Sequence, residues 1–67
     1  MKKIEKLTLD VFESIPVGGE QTFRLPDRNA VYNARSYAYQ LGDRYEYLVT
    51  TKADTDSCTI TIRKDRL

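Results

Sequence analysis

From Tyr45 onward the chain alternates apolar and polar residues. Cys58, Ile60 and Ile62 alternate with Thr59, Thr61 and Arg63, and Tyr45, Tyr47 and Val49 with Glu46, Leu48 and Thr50. A period of two marks a strand with one covered face, so Tyr45 to Lys52 and Cys58 to Arg63 are predicted strands. The polar run Ala53-Asp54-Thr55-Asp56-Ser57 joins them as a hairpin. Upstream the period changes. Ala30, Val31, Ala34, Ala38 and Leu41 form one stripe at a period of about 3.6, with Tyr37 inside it. This predicts a helix from Arg28 to Leu41, N-capped by Asp27 and stopped by Gly42. Its small alanines allow a close approach to a sheet.

Before the helix, Gln21 to Leu25 reads as a strand with Phe23 and Leu25 on one face. Ile15-Pro16-Val17-Gly18-Gly19 is a turn, since proline presets φ and glycine accepts positive φ. The segment Lys6 to Ile15 fits two patterns. Leu7, Leu9 and Val11 alternate as in a strand, while Leu7, Val11 and Ser14, or Leu9, Phe12 and Glu13, fit a short helical turn equally poorly; an extended strand ending at Pro16 is favoured. The expected class is α+β, with one helix on one face of a small antiparallel sheet of three or four strands. The order is β-β-α-β-β, or β-α-β-β if the first strand is absent.

Sixty-seven residues make a single domain, residues 1–67. A core of this size supplies roughly 3–5 kcal/mol, and such domains often add a disulfide, a metal or a partner subunit. Cys58 is the only cysteine and there is no histidine. An intrachain disulfide, a zinc site and Ser-His-Asp or Cys-His nucleophiles are thereby excluded. No enzymatic activity and no cofactor are expected. Self-association remains, and a free strand edge is a ready route to a dimer. Membrane insertion is not expected, because no apolar run approaches about twenty residues. Met1-Lys2-Lys3 looks like the start of a leader, but Glu5, Lys6 and Asp10 interrupt any apolar segment after it, and a cytoplasmic location is the expectation.

The net charge of +1 is unevenly distributed. Residues 1–20 carry three lysines against four acids, and residues 21–67 carry eight Lys or Arg against six acids. Two surfaces draw on that surplus. On the helix, Arg28, Tyr32, Arg35 and Tyr39 form one stripe, flanked by Asn29, Asn33, Ser36 and Gln40. No acid follows the cap within Arg28 to Leu41. Guanidinium groups grip phosphate and tyrosine stacks on bases, so nucleic acid is the first expected partner. The alternative is a solvated face, with tyrosines covering the sheet edge and arginines lying over them. On the sheet, the face away from the helix would carry Thr22, Arg24, Leu48, Thr50, Lys52, Thr59, Thr61 and Arg63, giving Arg24, Lys52 and Arg63 as a second candidate surface. Threonine is also an ordinary residue for a water-facing strand.

Other features carry less. The basic ending Arg63-Lys64-Asp65-Arg66-Leu67 reads as a solubilising terminus. Gly18-Gly19 lacks the Gly-Lys-Ser/Thr ending of a phosphate loop, and Asp54 with Asp56 lacks the rest of a calcium loop. Cys58 reads as a small core hydrophobe.

Taken together, Ile15-Pro16-Val17-Gly18-Gly19-Glu20-Gln21-Thr22-Phe23-Arg24-Leu25-Pro26, the helical Ala34-Arg35-Ser36 and the final Thr59-Ile60-Thr61-Ile62-Arg63 resemble small uncharacterised proteins of bacteriophages and bacterial mobile elements. The resemblance spans residues 12–64 and implies a βαββ fold in a viral or mobile-element setting. It implies no catalytic residue. The first expectation for function is thus a non-enzymatic nucleic-acid-binding accessory or regulatory protein. The alternative is a protein-interaction module, either a homodimer or an inhibitor of a host protein. Tyrosine and arginine serve both.

Overall fold

The computed structural model describes residues Met1 to Leu67. Six elements follow one another: β1 (Lys2–Lys3), α1 (Leu9–Glu13), β2 (Gly19–Arg24), α2 (Arg28–Tyr45), β3 (Tyr47–Asp54) and β4 (Thr59–Arg66). The strands form one open sheet in the order β1-β2-β4-β3. The α+β class is as read from the sequence, and so is the β-β-α-β-β order once the five-residue α1 is set aside, although the first strand is Lys2–Lys3. The sheet is mixed rather than antiparallel, because β1 runs parallel to β2, with Lys2 and Lys3 opposite Phe23 and Arg24. A parallel neighbour needs a crossover, and α1 lies within that crossover.

The segment read as a first strand from Lys6 to Ile15 is therefore corrected. Thr8 N-caps α1, its hydroxyl oxygen accepting from the Val11 N–H at 3.3 Å. Phe12 decides the outcome. As a strand, Leu7, Leu9 and Val11 would share one face and Phe12 would point away from them. The helical turn instead buries Leu7, Phe12 and Ile15 together and leaves Leu9 and Val11 half-buried against the same core.

Asp27 caps α2 as expected, its carboxylate accepting from the Ala30 N–H at 2.8 Å. The helix does not stop at Leu41 but continues to Tyr45. Glu46, in the left-handed region (φ 61°, ψ 47°), supplies the end, and its N–H donates to the Gly42 carbonyl. Gly42 lies inside the helix and serves packing. A Cβ there would sit 2.5 Å from Val49 Cγ2 and 3.1 Å from the Tyr47 carbonyl oxygen. Only hydrogen fits between α2 and β3 at this level.

The core follows from that approach. Val31, Ala34, Ala38 and Leu41 are buried, with Ala30 and Tyr37 half-buried, above Phe23, Leu25, Val49, Ile60 and Ile62. The strand alternation holds: residues read as outward lie on the face away from the helix. Three boundaries move. β3 starts at Tyr47 because α2 runs through Tyr45. Asp54 is strand rather than turn, and its carboxylate accepts from the Asp56 and Ser57 N–H groups at 3.0 and 3.4 Å. Cys58 is half-buried in the turn at φ 56°, packed beside the core rather than opening β4. Nor does the basic ending hang free, since β4 extends to Arg66.

Ala34 is buried at the helix–sheet contact, and Gly42 has no room there for a Cβ. Ala34→Leu is expected to overpack that contact and to cost about 1–3 kcal/mol. Gly42→Ala is expected to destabilise as well, by driving a methyl into Val49. Urea midpoints measure both, and wild-type midpoints would place the helix elsewhere.

Candidate interaction surface

Helix geometry puts Arg28, Tyr32, Arg35 and Tyr39 on one flank of α2, all exposed. The opposite flank, with Asn33, Ser36 and Gln40, faces Lys6, Leu7 and Thr8 across a shallow groove of about 490 Å³. The stripe therefore lies on the side away from the N-terminal segment, above β3, the edge strand. One contact fixes this. The Thr51 hydroxyl donates to the Tyr39 phenol oxygen at 3.1 Å. That hydrogen bond lowers the Tyr39 pKa, with a smaller contribution from the positive charge of Arg35. Tyr39 leans on the sheet edge, yet it remains 43% exposed and Tyr32 53%.

The longer helix changes the stripe's character. Tyr39 is followed four and seven residues on by Asp43, within α2, and by Glu46, its cap. Both fall on the same flank at 100° per residue. The surface without acid expected from a helix ending at Leu41 is in fact polarised. Arginines occupy its first half, carboxylates its second, and exposed tyrosines lie between.

The second candidate surface does not gather its three cations. Arg63 is engaged by three groups on its own face. Its Nε donates to Asp65 at 2.9 Å, a terminal nitrogen donates to the Gly18 carbonyl at 3.3 Å, and Glu20 lies 3.7 Å away. Arg24 and Lys52 sit on β2 and β3, with β4 between them. Two strand spacings, roughly 10 Å, separate them. The Thr22 and Thr61 hydroxyls bond to each other at 2.8 Å.

Lys64 is the notable residue that sequence reasoning misplaced. Its place in the basic ending predicts a solvated side chain, yet it is 3% exposed. Its register explains this. Ile60, Ile62 and Lys64 share the helix-side face, and Lys64 lies between Gly19 and Val49. Continuing the Ile60–Ile62 alternation one step further was the available signal. Its Nζ donates to the Phe12 carbonyl at 3.1 Å and lies 4.8 and 4.9 Å from the Phe12 and Tyr47 ring centroids. Burial lowers its pKa, and Glu13 partly offsets this. The residue forms one wall of a shallow cleft of about 370 Å³ with Pro16, Val17 and Tyr45. The carbonyl and the two rings occupy the ammonium, so Lys64 acts as a clasp between α1 and the sheet.

No buried side-chain nitrogen or oxygen lacks a hydrogen-bond partner, and no three His, Cys, Asp or Glu side chains gather as a metal site. No helix is long and apolar enough to cross a membrane. Comparison with protein-family models, curated proteins and solved structures finds no match.

Lys64 gives a pH prediction. Its folded pKa lies below the ordinary 10.5. Below that folded value the ammonium is charged in both states, and its burial costs stability in full. As pH rises from the folded pKa toward 10.5, the folded chain releases the proton first and the cost is relieved. Wild type is therefore expected to gain stability relative to Lys64→Met between neutral and alkaline pH. Urea midpoints of both proteins at the two pH values measure this; a constant difference would contradict it.

Proposed function

We propose that this chain is a small non-enzymatic protein-interaction module whose recognition surface is the Arg28–Tyr32–Arg35–Tyr39 flank of α2, extended by Asp43 and Glu46. The observation that carries this reading is the polarity of the stripe. A surface built for phosphate gathers positive charge along its length, and carboxylates in its second half repel the nucleic-acid backbone. A protein partner can complement both halves. Exposed tyrosine and arginine are the residues that most often dominate protein interfaces. In a phage or mobile-element setting the partner would be a host protein or another copy of the chain.

A photo-crosslinking residue at position 32, with position 20 on β2, away from both the α2 flank and the β3 edge, as control, tests this in cells making the protein. The expected result is a discrete protein adduct from position 32, lost when Arg35→Glu is added. Labelling from position 20 only, or no adduct from position 32, would overturn it.

One observation favours the nucleic-acid reading as a second. The first turns of α2 present Arg28, Tyr32 and Arg35 among Asn29 and Asn33, and the nearby Asp27 carboxylate is occupied at the cap. If this half-stripe binds phosphate, Arg28→Ala and Arg35→Ala should each change stability by no more than ~0.5 kcal/mol. Each should also reduce the slope of log affinity against log salt by about one unit. Tyr32→Ala should weaken single-strand binding more than duplex binding. Sensitivity at Arg24, Lys52 and Arg63 instead would move the site to the sheet. Gel-shift titrations with random duplex and single-stranded DNA at two salt concentrations decide between them, and no shift at low salt removes nucleic acid as the partner.

A further inference from the structure

We infer that the partner of this surface is a second copy of the chain, joined edge to edge along β3 about a two-fold axis normal to the sheet. The inference rests on reading the stripe as a protein interface, and three independent features of the fold support it.

The first is the edge itself. The outer strand at one side of the sheet is β1, two residues long and made of lysines. That is how sheets usually blunt an edge. At the other side β3 runs eight residues in unbroken register with β4, from Tyr47 opposite Arg66 to Asp54 opposite Thr59. It contains no proline and no bulge, and Lys52 is its only cation. Its outer hydrogen-bonding groups face no other strand.

The second is the register that a two-fold permits. Opposed residues of antiparallel strands share a face, so the axis must pass through a residue pair. Centred on Thr50, Leu48 of one copy lies opposite Lys52 of the other. Centred on Thr51, Thr50 lies opposite Lys52 and Leu48 opposite Asp54. Within β3 neither arrangement opposes like charges, but centring on Thr50 brings Asp54 opposite the Glu46 cap, so Thr51 is the better centre. Leu48 is 53% exposed and gains a neighbour in both.

The third is the helix flank above that edge. Tyr39 is bonded to Thr51, so the axis passes beside Tyr39. The same axis makes the two α2 helices antiparallel. Arg35 and Asp43 lie four residues either side of Tyr39, so each Arg35 meets the other copy's Asp43. Tyr32 and Glu46, seven residues either side, meet likewise. α2 packs against both β3 and β4. An axis about half a strand spacing inside β3 would, on pairing at the usual strand distance, put the two helix axes about 10 Å apart, the spacing at which helices pack. One axis thus satisfies strand, charge and helix spacing together.

Analytical ultracentrifugation of the full chain, from low-micromolar to near-millimolar concentration, tests this. The expected wild-type behaviour is a reversible monomer–dimer equilibrium. Arg35→Glu and Asp43→Arg are each expected to weaken it about tenfold or more, and the Arg35→Glu/Asp43→Arg double variant to restore it, because the pair is then reversed in sign rather than broken. Circular dichroism confirms that each variant is folded. A bifunctional thiol crosslinker on a Cys58→Ser/Thr50→Cys chain reads the geometry without touching the charges, and should join two copies efficiently. A wild type that stays monomeric, or a dimer that neither charge change weakens and position 50 does not crosslink, overturns the inference. If the chain is monomeric but position 32 still captures a different protein, the second copy is wrong and the protein-interface reading stands. A monomer with no adduct from position 32 overturns both.

Discussion

The missing side chain at Gly42 sets the distance between α2 and the sheet, and much else follows from it. With Val49 Cγ2 only 2.5 Å from where a Cβ would sit, the last turns of the helix are held directly against β3. Ala38 and Ala34 continue the close contact toward the N-terminal end, so the helix lies low along its length. A helix held low over the edge half of a sheet must present one flank beyond the last strand. That flank carries Arg28, Tyr32, Arg35 and Tyr39, and the Tyr39–Thr51 hydrogen bond keeps it there. Packing inside the molecule thereby positions the surface outside it.

The other half of the sheet is closed by a different device. A chain of this size has little apolar mass, and α1 is only five residues long. Lys64 supplies the attachment. Its stem lies among core residues and its ammonium reaches the Phe12 carbonyl between two aromatic faces, while its own carbonyl accepts from the Gly18 N–H at 2.6 Å. Burying an ammonium carries a desolvation cost, which is why its pKa falls. In return α1, the Pro16–Gly18 loop and the end of β4 are tied together. The two sides of α2 then differ: one is packed by the N-terminal segment, and the other is left free above an open strand edge.

The strands and the helix were legible in the sequence because their periods were long and clean. Phe23, Val49, Ile60 and Ile62 fell on the helix side, and Val31, Ala34, Ala38 and Leu41 beneath the helix, as periodicity requires. The misses share a cause. Gly42 carries the local signal of a helix stop, but the packing that demanded a glycine is a contact with Val49, distant in the helix frame and invisible to local patterning. Stopping the helix there hid Asp43 from the stripe and made a polarised surface look basic. Lys64 has the residue type of a solvated tail, but its register on β4, two residues after Ile62, places it on the helix-side face. In the Lys6–Ile15 segment, two short patterns competed, and Phe12 could be placed only once the rest of the core existed to receive it.

The central claim is that the α2 flank and the β3 edge form one continuous surface, complementary to itself. Hydrogen exchange of the β3 backbone amides tests it most directly, because an unpaired edge leaves its outward amides to water, whereas a paired one protects them. The account requires the outward-facing amides of β3 to be protected at concentrations where the chain associates. That protection should fall on dilution and with Arg35→Glu, and return with Arg35→Glu/Asp43→Arg. Outward amides that exchange at the rate of an open edge at every concentration would contradict it.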